Sequence, residues 1–140
     1  MTYELALPPA VVSVGVGRRL VNQALSEWDL DGLAYTATLL TSEILTNSVL
    51  HARTPILLTV ERAGADAVRI SVRDGSTLVP RRRNHAQDAT TGRGLELLDR
   101  LAQSWRIDAS TEGKTLSFTV GGATDPWANY GATDWLEADL

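Results

Sequence analysis

Three short stretches of this chain carry side chains, or lack them, in a way that could do chemistry together. In Ser42-Glu43-Ile44-Leu45-Thr46-Asn47-Ser48-Val49-Leu50-His51-Ala52 a helix wound at roughly 100° per residue puts Glu43, Asn47 and His51 on one stripe. That stripe runs between Leu40 and Ile44 and beside Leu50. Leu39, Leu40, Ile44, Leu45 and Val49 leave little continuous polar face, so the helix reads as largely buried. A buried carboxylate and amide are costly unless they bond something. Either a ligand is that partner, or Glu43 and Asn47 form a solvated edge tied to neighbouring backbone. The other two stretches are Asp74-Gly75 and Gly92-Arg93-Gly94.

Between them the three supply what a nucleotide needs. The Asn47 amide oxygen can ligate Mg²⁺, an ion that takes a few protein oxygens and fills its other positions with water and phosphate. Gly92 and Gly94 are expected at the start of a helix, where free N–H groups and the dipole favour phosphate and the missing side chains permit close approach. Asp74, at the end of a strand, can accept a hydrogen bond from an exocyclic amine such as that of adenine. Each signal alone is common, and an Asp-Gly after a strand is most often a turn. Their order and spacing carry the reading.

The elements that must hold these residues follow from periodicity. Tyr3 to Leu7 predicts a short strand ended by Pro8-Pro9. From Ala10 to Trp28, Val12, Val16, Leu20, Ala24 and Trp28 recur every fourth residue, and Val14, Val21 and Leu25 widen the face into an amphipathic helix, with Gly15 and Gly17 weakening its first half. The second helix begins near Leu30 or Asp31, with Asp31 as N-cap, and closes after Ala52 at Thr54-Pro55. Ile56 to Arg62 and Val68 to Asp74 predict an antiparallel hairpin whose second strand delivers Asp74. Gly75 to Arg93 reads as a long surface loop, Gly94 to Ala102 as a helix, and Ser104 to Ala109 with Lys114 to Val120 as a second hairpin. That order predicts an α+β fold, a two-layer sandwich with one sheet covered by helices on one face. After Val120, Gly121-Gly122-Ala123-Thr124-Asp125-Pro126 reads as a linker. The acidic segment behind it, with Trp127, Tyr130 and Trp135, is either a mobile tail or a docking segment.

Bulk properties narrow the classes. The 140 residues suffice for one domain with a real core. A net charge of -4 argues against a protein built to coat nucleic acid. The basic run Arg81-Arg82-Arg83 reads as a solvated cluster, or as a neutraliser of phosphate charge together with His85. With no cysteine, disulfides, thiolate metal sites and cysteine nucleophiles are excluded, and two histidines argue against a His-rich metal site. The N-terminus does not read as a signal peptide, and no apolar run approaches the ~20 residues of a membrane span. A soluble cytoplasmic protein is expected, with no direct nucleic-acid or membrane contact.

At this point the sequence resembles the GHKL superfamily of ATP-binding domains, shared by DNA gyrase, heat-shock chaperones, histidine kinases and mismatch-repair proteins. Within it the likeness is greatest to the small anti-sigma-factor serine kinases and the stand-alone regulatory ATPase domains of actinobacteria. Glu43 to Ala52 resembles their N-box, Val72-Arg73-Asp74-Gly75 their adenine motif, and Thr91-Gly92-Arg93-Gly94-Leu95 their second glycine motif. The likeness runs from about Tyr3 to Val120, leaving residues 121–140 as a tail.

The resemblance implies the Bergerat ATP-binding fold, with a mixed, mostly antiparallel sheet, and ATP and Mg²⁺ as cofactors. It makes Asn47 the Mg²⁺ ligand and Asp74, with Gly75, the adenine reader. Gly92, Arg93 and Gly94 become the phosphate loop. Thr115 becomes the strand residue beside the adenine contact, although an ordinary strand threonine is an equal reading. Glu43, one turn from the metal ligand, becomes the general base that accepts a proton from a serine or threonine hydroxyl or from water. His51 follows the family pattern and reads as a structural histidine bonding backbone. The implied partners are a sigma factor, an anti-anti-sigma (STAS-type) antagonist, or a second copy of the chain. One departure stands out: Ser76-Thr77 occupy the place of the family's later glycines. A non-catalytic interaction module that kept the fold is the alternative function.

Overall fold

The computed structural model describes residues 1–76 and 89–122; of residues 89–93 it describes the backbone. The chain runs β1 (Thr2–Leu7), α1 (Val12–Glu27), α2 (Ala34–Asn47), β2 (Ile56–Arg62), β3 (Ala67–Asp74), α3 (Ala89–Leu101), β4 (Ser104–Ser110) and β5 (Gly113–Gly121). The strands form one sheet in the order β1-β2-β3-β5-β4. The expected α+β sandwich is therefore present. Every pairing among the described strands is antiparallel, so the mixed sheet implied by the resemblance is here antiparallel throughout.

Strand alternation builds the layer under the helices. Ile56, Leu58 and Val60 of β2, Val68, Ile70 and Val72 of β3, and Leu116, Phe118 and Val120 of β5 are all buried. Register sets them beside one another, with Leu58 opposite Val72 and Ile70 opposite Phe118. The alternate residues make polar contacts on the other face. Arg69 pairs with Glu61 at 3.6 Å, and the Ser71 and Ser117 hydroxyls lie 3.0 Å apart.

α2 packs between α1 and α3 and is buried at Ala37, Thr38, Leu40, Thr41, Ile44 and Leu45, as its apolar composition predicts. The Thr38 and Thr41 hydroxyls donate to the Ala34 and Ala37 carbonyls at 2.7 Å, which satisfies them inside the helix. The expected unbroken helix from Asp31 to Ala52 instead changes winding twice. A 3₁₀ turn, Asp31–Leu33, precedes α2, and a π turn, Ser48–Ala52, follows it, closed by the Arg53 N–H on the Ser48 carbonyl at 3.2 Å. Asp31 lies within the first turn, and among the described residues no side chain caps it or α2. Arg53, at φ 58°, stops the helical run ahead of Thr54-Pro55.

Two further expectations are corrected. The core face of α1 is Ser13, Gly17, Val21, Ala24 and Leu25; it contains the predicted Val21, Ala24 and Leu25, but in the first half Ser13 and Gly17 face inward and Val12 is exposed. Small residues face inward because α1 crosses close to α2: a Cβ on Gly17 would stand 2.3 Å from Leu45 Cδ1. α3 begins at Ala89, five residues before the expected Gly94. Ala89-Thr90-Thr91-Gly92 carries weak helix propensity and no apolar period, so its helical state is not legible locally. The predicted loop residues Arg81, Arg82, Arg83 and His85, and the tail from 123 onward, lie outside the described residues.

Candidate functional site

The site is assembled where the end of α2 meets the end of β3 and the start of β5. Widening of the helix into a π turn at Ser48 brings that residue against Asp74, the last residue of β3. Ser48 Oγ donates to Asp74 Oδ2 at 2.7 Å. On the other side, the register sets Lys114 of β5 opposite Asp74. Lys114 Nζ donates to Oδ1 at 2.9 Å and to Oδ2 at 2.8 Å. The Ser76 N–H adds a fourth bond, to Oδ1 at 2.9 Å, closing a turn on the carboxylate. The Asp74 side chain is 1 % exposed and that of Lys114 12 %. A buried carboxylate is tolerable here because both oxygens are bonded and one partner is cationic.

The backbone around the pair is equally close. Gly113, at φ 148°, lies in a region that favours glycine, and a Cβ there would stand 2.3 Å from the Asp74 carbonyl oxygen. Glycine is thus what lets β5 begin hard against β3 and register Lys114 on Asp74. Gly75 donates its N–H to Thr54 Oγ1 at 2.6 Å, which ties the exit of β3 to the segment after the π turn.

Asn47, the residue before Ser48, has a different environment. Its Oδ1 is buried and, among the described residues, has no hydrogen-bond partner. α3 passes it at Gly94, where an added Cβ would stand 3.0 Å from Asn47 Nδ2 and 3.6 Å from Ile44 Cδ1. Asn47 and Gly94 are therefore adjacent in space, as are Ser48, Asp74 and Lys114. Glu43 lies one turn before Asn47 on α2 and is half-buried, whereas His51 falls in the π turn and is exposed. Interruption of the α-winding at Ser48 is what takes His51 off the predicted stripe.

The remaining predicted residues fall differently. Gly92 and Gly94 lie inside α3, rather than ahead of it, and Arg93 shares that helical backbone. In an α-helix the free N–H groups belong to the first turn, so here they fall near Ala89 and not at Gly94. Thr115 pairs with Arg73 and not with Asp74. Alternation along β5 puts Thr115 on the face opposite to that of Lys114 and Leu116. The strand neighbour of Asp74 is Lys114, which the sequence reading passed over together with Ser48. Parity was the usable signal: Lys114 shares the phase of Leu116, Phe118 and Val120, the apolar positions that mark the core face.

Comparison with known proteins bears on this arrangement. A family model described as a histidine kinase-like ATPase domain matches residues 7–120. Among solved structures, the RsbU and RsbW domains of Rv1364c from Mycobacterium tuberculosis superpose with a TM-score of 0.67 at 20 % identity. That match covers 86 % of this chain and 32 % of the other, so the chain spans about a third of that protein's length. At that identity the likeness concerns the fold. No curated protein matches the sequence. With a match that spans most of the chain and a sheet-and-helix order in keeping with it, the chain belongs to the histidine kinase-like ATPase domain family.

Proposed function

We propose that this domain binds an adenine nucleotide with Mg²⁺ and acts as a regulatory protein of the anti-sigma kinase kind, holding a sigma factor or phosphorylating a serine on its antagonist. The observation that carries the reading is Asn47 Oδ1, a buried carbonyl oxygen without a partner among the described residues. Leaving such an acceptor unbonded costs about 1–3 kcal/mol, which a hard cation at that oxygen would offset. The family membership and the fold likeness to a protein with an RsbW domain support the regulatory part. A role on a sigma factor would place the protein in the cytoplasm.

Asn47 would hold the metal and Asp74 would accept from the adenine amine. Gly75, Gly92, Arg93 and Gly94 would line the nucleotide. Bound Mg²⁺ and ATP supply charge neutralisation and the phosphoryl group. Glu43 would accept the proton that a partner's serine hydroxyl loses as the terminal phosphoryl passes to its oxygen and ADP leaves.

A second reading, a non-catalytic interaction module, is favoured by one observation: Asp74 already accepts four bonds from Ser48, Ser76 and Lys114. A fluorescent ATP analogue separates the two. Mg²⁺-dependent binding that Asn47→Ala abolishes is expected, with Glu43→Ala retaining binding and losing transfer to the antagonist. Undiminished transfer by Glu43→Ala would remove the base assignment, and no binding by the native chain would leave the second reading.

A further inference from the structure

Among the described residues, Lys114 is the cation that pairs with Asp74. Its ammonium bridges both oxygens of Asp74, at 2.8 and 2.9 Å, and so lies across the edge of the carboxylate that an exocyclic amine would need. The other two bonds come from the Ser48 hydroxyl in the π turn and from the Ser76 backbone N–H, and together with Lys114 they fill the acceptor positions of the carboxylate. Of the three partners, Lys114 reaches Asp74 with the longest side chain. It stands just past the exposed turn at Thr111 and Glu112, keeps 12 % of its side chain in solvent, and has a flexible four-carbon stem.

We propose that Lys114 controls base recognition at this site: in the nucleotide-free protein its ammonium holds the position on Asp74 that a purine amine takes, and a base enters only by displacing it. The inference rests on the nucleotide reading above and adds a regulatory step to it. Exchange of a charge-assisted contact for a neutral N–H donor is unfavourable, so the native chain binds adenine nucleotide weakly. Any partner that draws the Lys114 ammonium outward, such as an acidic segment at the β4–β5 turn, would raise the affinity.

The test is titration of Mg²⁺ and a fluorescent ADP analogue into the native chain, Lys114→Met, Lys114→Gln, Asp74→Asn, the Asp74→Asn/Lys114→Met double variant and Asn47→Ala. Thermal melts with and without ligand accompany each titration. Lys114→Met is expected to bind about tenfold tighter or more than the native chain, with Lys114→Gln between them. The double variant is expected to bind no tighter than Asp74→Asn, since Lys114 acts through that carboxylate. The rise in Tm on adding ligand is expected to be larger for Lys114→Met, whose Asp74 lacks its counterion until the base arrives. Should Lys114→Met be unfolded, Lys114→Gln carries the comparison. Equal or tighter binding by the native chain, with Asn47→Ala abolishing it, overturns the role of Lys114 and leaves the nucleotide reading intact. Absence of binding by all variants, folded by circular dichroism, overturns the nucleotide reading and this proposal with it.

Discussion

At the scale of single residues, the Asp74–Lys114 pair and the Asn47 oxygen pull stability in opposite directions. The pair is almost fully enclosed, and each charge is tolerable there only because of the other. Asp74→Leu alone leaves a buried ammonium and should lower the unfolding free energy by about 3 kcal/mol or more, measured by denaturant titration. Combined with Lys114→Met, which replaces both charges by apolar groups, most of that loss should return. Asn47 behaves the other way. Its Oδ1 is buried without a partner among the described residues, so Asn47→Leu should leave stability unchanged or raise it by up to about 1 kcal/mol while removing nucleotide binding. A stabilising substitution that destroys binding is the mark of a residue kept for a ligand.

At the scale of elements, the helix pair over the sheet is set by close approach more than by helix propensity. Gly17→Ala gains about 1 kcal/mol of helix propensity, but the new methyl meets Leu45 Cδ1 at 2.3 Å. Overpacking of that kind costs about 1–3 kcal/mol, so a net loss of stability and a lower Tm are expected. β1 is fastened to the end of α1 by Tyr3, whose hydroxyl donates to Glu27 and whose ring lies 5.8 Å from that of Trp28. The bond to Glu27 holds the Tyr3 hydroxyl above its usual value of 10.0. A folded-state value raised in this way means the contact stabilises fully below pH 10 and is lost as pH rises through the raised value. Tyr3→Phe should therefore lower stability slightly at neutral pH and flatten the alkaline limb of a stability-against-pH curve, so that variant and native chain converge at high pH. Periodicity located α1 and the second half of its core face, Val21, Ala24, Leu25 and Trp28, but missed Ser13 and Gly17, which carry no apolar signal. The start of α3 was hidden for the same reason, in Ala89-Thr90-Thr91-Gly92. The strands were legible to within a residue or two, since β-branched runs bounded by turns have few other readings.

At the scale of the whole molecule, the α+β order was readable in the sequence because each element alternates or repeats with its own period. The gathering of sequence-distant segments was only partly so. Order and spacing of the motifs indicated that the end of α2, the end of β3 and the glycine segment of α3 belong together, and Asn47 does meet Gly94. What spacing could not reveal is which neighbour reaches the Asp74 carboxylate. That depends on strand register and on a π turn at Ser48, both set by tertiary contacts. The central claim is that Asn47, Asp74 and Gly94 surround one magnesium-nucleotide site. Titration of Mg²⁺ and ADP into ¹⁵N-labelled protein tests it most directly. The account predicts saturable shifts of the Asn47 side-chain amide and of the backbone amides of Asn47, Asp74, Gly75 and Gly94, all with one dissociation constant and only when Mg²⁺ is present. Saturable shifts confined to other parts of the sheet and helices, or an unmoved Asn47 side chain beside shifts elsewhere, would contradict it.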